Sequence, residues 1–152
     1  MLKSVVVGML LMALNVAIHA VGSTLWIQYL QQNRSLKTRP LPFRTALRVL
    51  SSTAVFVLVL HIIEVSAWAV VYLSLNDIPE LRTFEQATYF SIVTFTSLGY
   101  GDITLQGSWR LLSGIEAMNG IILFGWSTAL LFTILQRLWT AIGSINNEDR
   151  EA

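Results

Sequence analysis

Nine consecutive residues, Thr94-Phe95-Thr96-Ser97-Leu98-Gly99-Tyr100-Gly101-Asp102, bring hydroxyls, flexible backbone and a carboxylate into one short stretch. Glycine enters left-handed backbone at no steric cost, so Gly99-Tyr100-Gly101 reads as a shaped loop and not as helix interior. Taken alone, Gly-Tyr-Gly-Asp is also an ordinary turn. A second group of polar residues, Asn15, His19, His61, Glu64 and Glu116, stands inside otherwise apolar runs. Histidine is the side chain whose charge changes near neutral pH. No nucleophile–base set accompanies these groups. The chain has no cysteine, which excludes thiolate metal sites and thiol catalysis. An enzyme is not expected.

The elements that position these residues are apolar and long. Of 152 residues, 54% are hydrophobic and 12% charged, against about 25% charged in a soluble domain. Residues 4–33 carry no charge, 49–76 only Glu64, and 111–136 only Glu116. A helix that crosses lipid needs about 20 mostly apolar residues, and three stretches qualify. The fold class expected is an all-α membrane protein. Its first helix falls within 1–31, its second at 47–75 and its third at 110–139. Lys3, Val5–Leu14 and Ala17-Ile18-His19-Ala20 also suit a secretory leader. The apolar run continues through Val21, Leu25, Trp26, Ile27 and Leu30, beyond the usual leader length, and a span is preferred. Trp26 and Tyr29 suit an interfacial aromatic belt.

Arg34, Lys37, Arg39, Arg44 and Arg48 hold half of the ten Lys and Arg residues within 15 positions. The positive-inside rule sets this segment, 32–46 with its interfacial approach, in the cytoplasm. Pro40 and Pro42 break any helix across it. Phe43, Ala46, Leu47 and Leu50 suit a short interfacial helix before the second span. Three spans then leave the N-terminus outside the cell membrane and the tail, 141–152, in the cytoplasm. The net charge of +1 gives no field for nucleic acid, so the partners expected are the lipid bilayer and further copies of the chain.

Segment 76–110 is too structured for a plain loop. Thr83-x-x-Gln86 fits a capping box and starts a helix near Phe84. A helix over 83–96 reaches about 20 Å, too short to cross and return, but suited to a re-entrant half-helix. Non-helical backbone at membrane depth is tolerated only where it lines a cavity or is buried in protein, and the 97–102 stretch follows at once.

With that context, Thr94–Asp102 resembles the selectivity filter of potassium channels, in which a re-entrant helix leads into T-V-G-Y-G and an Asp. The resemblance covers about 47–140 and is to the two-transmembrane type, with one helix added before it. It implies a C4 homotetramer, in which each chain supplies a quarter of the filter. It implies that dehydrated K+ is bound by the backbone carbonyls of Ser97, Leu98, Gly99, Tyr100 and Gly101, as permeant ion and with no cofactor. Thr96, Asp102, Tyr89 and Glu116 would support the filter, and the Tyr89 hydroxyl could reach Asp102. Glu116 would brace the filter's back through a pore-helix hydroxyl or Asn119. Gly120 matches a gating hinge, although close packing also explains a glycine there. Ile121, Phe124 and Thr128, at spacings of three and four, match inner-cavity positions. Ser97 and Leu98 depart from the usual Thr and Val, which bears on K+ over Na+ selectivity. A non-conducting sensor or assembly partner that kept the pore fold is the alternative.

No arginine-repeat span is present and the tail is short, so a gate would act through the membrane, the filter, a separate regulatory subunit or pH. Asn15 and His19 share one face of the first span, and His61 and Glu64 one face of the second. At 1.5 Å per residue, Asn15 and His19 lie about 17 and 22 Å from Ser4, and Glu64 and His61 about 16 and 21 Å from Leu75. Antiparallel spans would therefore pair Asn15 with Glu64 and His19 with His61, as a docking cluster or a pH sensor.

Overall fold

The structure is a computed structural model and describes residues 2–33, 41–75 and 78–143. Arg34, Lys37 and Arg39 of the basic segment, Asn76-Asp77 and the charged tail at Glu148-Asp149-Arg150-Glu151 lie outside the described residues. Among the described residues four α-helices follow in order: α1 (Leu2–Gln32), α2 (Phe43–Ser74), α3 (Phe84–Phe95) and α4 (Arg110–Gly143). The chain is all-α. Three helices, α1, α2 and α4, are long and apolar enough to cross a membrane. At 1.5 Å per residue each is at least about 45 Å long, more than a hydrocarbon core of about 30 Å.

Helix α2 differs from the sequence expectation. The approach at 43–46 is not a separate interfacial piece but the first turn of one continuous helix. Pro42 is its N-cap, with φ −60° and ψ 137°, and its carbonyl accepts the amides of Thr45 and Ala46. Residues 43–74 contain neither Gly nor Pro, so nothing ends the helix before Ser74. Helix α4 likewise starts at Arg110 but runs on to Gly143, preceded by a 3-10 turn at Gly107–Trp109 that the sequence did not signal.

The packing reverses the soluble pattern. The buried stripe of α1 is Ser4, Gly8, Leu11, Asn15, His19 and Ser23, three or four residues apart, which makes one helix face. Its outward face carries Val6, Met9, Leu10, Leu14, Val21 and Leu25. The outer face of α2 is equally apolar at Val55, Leu58, Val59, Ile62 and Ile63. Lipid is as apolar as these side chains, so small and polar residues hold the bundle from within.

Register follows from the contacts. Lys3 lies over the Trp109 ring, Gly8 faces Ile115 and Leu112, and Asn15 meets Asn119. Helices α1 and α4 are therefore parallel. Gly22 faces Leu60, and Trp26 donates from Nε1 to Thr53 Oγ1 at 3.0 Å and stacks on Phe56. Helix α2 therefore runs antiparallel to both. One core, built on Trp68, Tyr72, Phe90, Phe95, Leu112 and Leu123, surrounds α3. A second, on Val49, Val57, Leu130, Ile134 and Leu138, closes the far end.

Candidate functional site

Helix α3 is fixed at both ends. The Thr83 hydroxyl accepts the Gln86 amide, and Gln86 Oε1 accepts the Thr83 amide, which is the capping box the spacing predicts. At the other end Thr96 is the C-cap, and its hydroxyl donates to the Ile92 carbonyl at 2.6 Å. The chain then turns back on the helix. The Ser97 amide donates to Thr94 O at 2.9 Å and the Gly99 amide to Val93 O at 3.2 Å.

Beyond that point the backbone alternates in handedness. Ser97, Gly99 and Gly101 have φ of +59°, +56° and +81°, whereas Leu98 and Tyr100 are not left-handed. Glycine accounts for two of these angles. Ser97 is the one non-glycine residue with positive φ among the described residues, a conformation uncommon for residues other than glycine. Sequence reasoning singled out the glycines and missed this. Among the described residues no backbone hydrogen bond ends on the carbonyls of 97–101. The side chains there are bare as well, with Leu98 58% and Tyr100 66% exposed in the single chain.

Asp102 closes the loop, and Tyr89 OH donates to its Oδ2 at 2.7 Å. The Tyr89 hydroxyl holds the Asp102 carboxyl below its ordinary value of 3.8. Neighbouring amides at 102 and 103 assist.

Behind α3 stands α4. Gly120 lies against the end of α3 so closely that an added Cβ would overlap the Phe95 carbonyl oxygen and sit 2.7 Å from its carbon. Close approach of two backbones is the structural reason for glycine at 120. Gly125 has open space around it. Ile121 is 61% exposed, Thr128 is exposed, and Phe124 is partly covered where its ring meets Phe95 and His61.

Glu116 is fully buried, and its bond differs from the expected ones. Its Oε2 accepts Tyr72 OH of α2 at 2.7 Å, not a pore-helix hydroxyl and not Asn119. Ser91 of α3 lies near the carboxyl, but Ser91 Oγ and Glu116 Oε1 do not meet with hydrogen-bond geometry. The phenol reaches the carboxyl because Tyr72, wholly enclosed, packs edge-on against Phe90 of α3.

The polar residues of α1 and α2 come together in the expected pairs, Asn15 beside Glu64 and His19 beside His61, and gain further partners from α4. Glu64 bonds both histidines: His19 Nδ1 meets Oε1 at 2.8 Å and His61 Nδ1 meets Oε2 at 2.8 Å. The two imidazoles stack at 5.5 Å between centroids. Asn15 reaches only the backbone carbonyl of Glu64, at 3.4 Å. Its shorter bond, 3.0 Å, goes to Asn119 Oδ1, which also accepts Trp68 Nε1. Ser127 of α4 lies 3.3 Å from His19 Nε2 and 3.0 Å from His61 Nε2. The sequence offers Asn119 only as a partner for Glu116 and gives Ser127 no role. Only a helical-wheel match of α4 against both other spans could have found them.

His19, His61 and Glu64 offer atoms within 4.8 Å of one another, a spacing that would suit a metal ion. Both carboxylate oxygens are already engaged by imidazole nitrogens, and His19 and Glu64 are sealed from solvent. As the structure stands, the three side chains satisfy one another as a hydrogen-bonded cluster.

Residues 58–137 match the family model described as Ion channel, 80 of the 152 residues, and the chain belongs to that family. The matched region takes in the second half of α2, all of α3 and most of α4, and leaves α1 outside. No curated protein and no solved structure matches the chain. It is a small all-helical, multi-pass membrane protein of channel type, a transport protein and not an enzyme.

Proposed function

We propose that the chain is a K+-selective cation channel, assembled as a C4 homotetramer with residues 97–102 as its filter. Residues 47–140 form the pore domain in this reading. The observation that carries it is the backbone of 97–101, where left-handed residues alternate and the carbonyls accept no hydrogen bond. A K+ ion exchanges its water for such oxygens when several chains present them to one axis. The exposed Leu98 and Tyr100 fit the same reading, since neighbouring copies would cover them. Helix α3 directs the negative end of its dipole toward the cavity below the loop and favours a cation there. Tyr89, Asp102 and Thr96 hold the loop to α3, Glu116 and Gly120 stand behind it, and Ile121, Phe124 and Thr128 line the inner cavity. The basic segment faces the cytoplasm, the N-terminus and the 76–110 region face outward, and the C-terminus is inside.

The test is K+ flux into liposomes that hold the purified chain. Gly99→Ala and Gly101→Ala add a Cβ where φ is positive, and each should abolish flux while the protein still inserts. Unchanged flux in either variant overturns the filter assignment. A reversal potential that follows Na+ as closely as K+ leaves a channel but removes the selectivity.

A further inference from the structure

We propose that His19, His61, Glu64 and Ser127 form an intramembrane binding site for a single proton, and that loss of this proton releases α4 from α1 and α2. The argument is a count of donors and acceptors. An ionised carboxylate only accepts hydrogen bonds, and a neutral imidazole carries one N–H. Both Nδ1 atoms lie 2.8 Å from Glu64 oxygens, so with Glu64 ionised both must carry the hydrogen. Both Nε2 atoms are then acceptors, and both face Ser127 Oγ, at 3.3 and 3.0 Å. One hydroxyl hydrogen cannot serve two acceptors.

One added proton completes the ring. With His19 as imidazolium, its Nε2–H donates to Ser127 Oγ, and the Ser127 hydroxyl donates to His61 Nε2. The mirrored arrangement, with His61 charged, is equally closed. A third arrangement keeps the proton on Glu64, which then donates to one Nδ1 while the other imidazole still donates to it. Each form holds the same number of hydrogens, satisfies every polar atom of the ring and has zero net charge. Without the proton the ring bears one negative charge and an unpaired nitrogen, with His19 and Glu64 wholly buried and Ser127 4% exposed. A buried charge and an orphan acceptor are both costly, so the deprotonated ring favours any rearrangement that opens it.

The surroundings leave the proton to this ring. Helix α1 faces it with His19 as its only titratable group, and α2 with His61 and Glu64. Helix α3 contributes the Phe95 ring, 5.9 Å from His61. Helix α4 contributes Ser127 and, in the next layer beyond Asn119, Glu116, which is bonded to Tyr72. The charged residues Lys3, Arg44, Arg48, Arg110 and Arg137 lie toward helix ends. Ser127 is the link to function, because Phe124 and Thr128 of the proposed cavity wall flank it on α4, and the Phe124 ring packs on His61 at 4.6 Å. His19 comes from the helix outside the family match, whereas His61, Glu64 and Ser127 lie within it, so the site joins α1 to the matched region.

The test uses the full chain in liposomes, with its two histidines labelled with 15N and its glutamates with 13C at the carboxyl. Solid-state NMR from pH 5 to 9 counts hydrogens on the four ring nitrogens and on Glu64. The expected count is three per chain at the acid end, falling to two in one step that both histidines report together. A count fixed at two or at three, or four hydrogens from two independent imidazoliums, overturns the site. Displacement of ring hydrogens by added Zn2+ also overturns it, in favour of a metal centre. The coupling to α4 is read by K+ flux, and this arm alone rests on the channel reading. Flux should change with pH in a step of the same midpoint, lost in Ser127→Ala and retained in Ser127→Thr, which keeps the hydroxyl. A pH profile unmoved by Ser127→Ala overturns the coupling. Absence of flux at every pH overturns the channel reading and the coupling drawn from it, while the hydrogen count still decides the proton site.

Discussion

The contact between Gly120 and Phe95 makes a sharp quantitative test of how α3 is seated. In Gly120→Ala the new Cβ would overlap the Phe95 carbonyl oxygen and stand 2.7 Å from its carbon and 3.1 Å from its Cα, against an ordinary contact of 3.4–4 Å. The carbon alone must retreat by at least 0.7 Å, the difference between 3.4 and 2.7 Å, and the oxygen by more. The obstacle is backbone, not the flexible end of a side chain, so α4 and the end of α3 must part as units. Overpacking of this kind costs about 1–3 kcal/mol. That is roughly a 5- to 140-fold loss in the folding equilibrium. Gly125→Ala is the internal control. It adds a methyl where nothing lies within 4 Å in the single chain. It should gain about 0.5–1 kcal/mol from reduced backbone freedom. Thermal unfolding in detergent, followed by far-UV circular dichroism, should separate the two variants by roughly 1.5–4 kcal/mol. Because Phe95 is fully buried two residues before Ser97, the same shift should disturb the filter, and K+ over Na+ discrimination should fall in Gly120→Ala. Equal melting of the two variants would refute the close approach of α4 to α3. A lower midpoint with unchanged selectivity would refute the transmission to the loop.

Two further outcomes follow from single hydrogen bonds. Tyr72→Phe removes the donor to Glu116 Oε2, and since Oε1 already lacks a partner the carboxyl would be wholly unpaired. The cost is about 1–3 kcal/mol by thermal unfolding, and adding Glu116→Leu should restore most of it, because two apolar partners leave no orphan. For Asp102 the sign follows from its lowered carboxyl value. Its bond to Tyr89 contributes above the ordinary 3.8 and is lost as pH falls through the lower folded value. Tyr89→Phe should therefore move the Asp102 titration, followed by carboxyl 13C NMR, upward toward 3.8, and an unchanged midpoint would show that the phenol does not hold it.

The sequence determined the elements. Charge-free runs specify three membrane-length helices because a charge in hydrocarbon is costly over any window of about 20 residues. Thr83 and Gln86 specify the start of α3 because a capping box is satisfied within four residues of chain. The glycines at 99 and 101 mark positive φ for an equally local reason, the missing Cβ. Even the meeting of α1 with α2 was legible, since depth along an antiparallel pair is arithmetic on residue number.

What the sequence left open was every choice made by a third helix. The start of α2 at Phe43 is itself local, but it was obscured by the interfacial look of Phe43, Ala46 and Leu47. Glu116 had several hydroxyls within reach by position, and the packing of Tyr72 on Phe90 decided which one bonded it. Gly120 could serve bending or packing equally well until the Phe95 carbonyl filled the space beside it. Ser127 carries no signal of its own, and it matters only because α4 runs parallel to α1 in a register that sets its hydroxyl between two imidazoles. A sequence fixes which face of a helix is polar, because that depends on 3.6 residues per turn. Which polar atoms then meet depends on the rotation and rise of one helix against another, and those are set by all the packing contacts together.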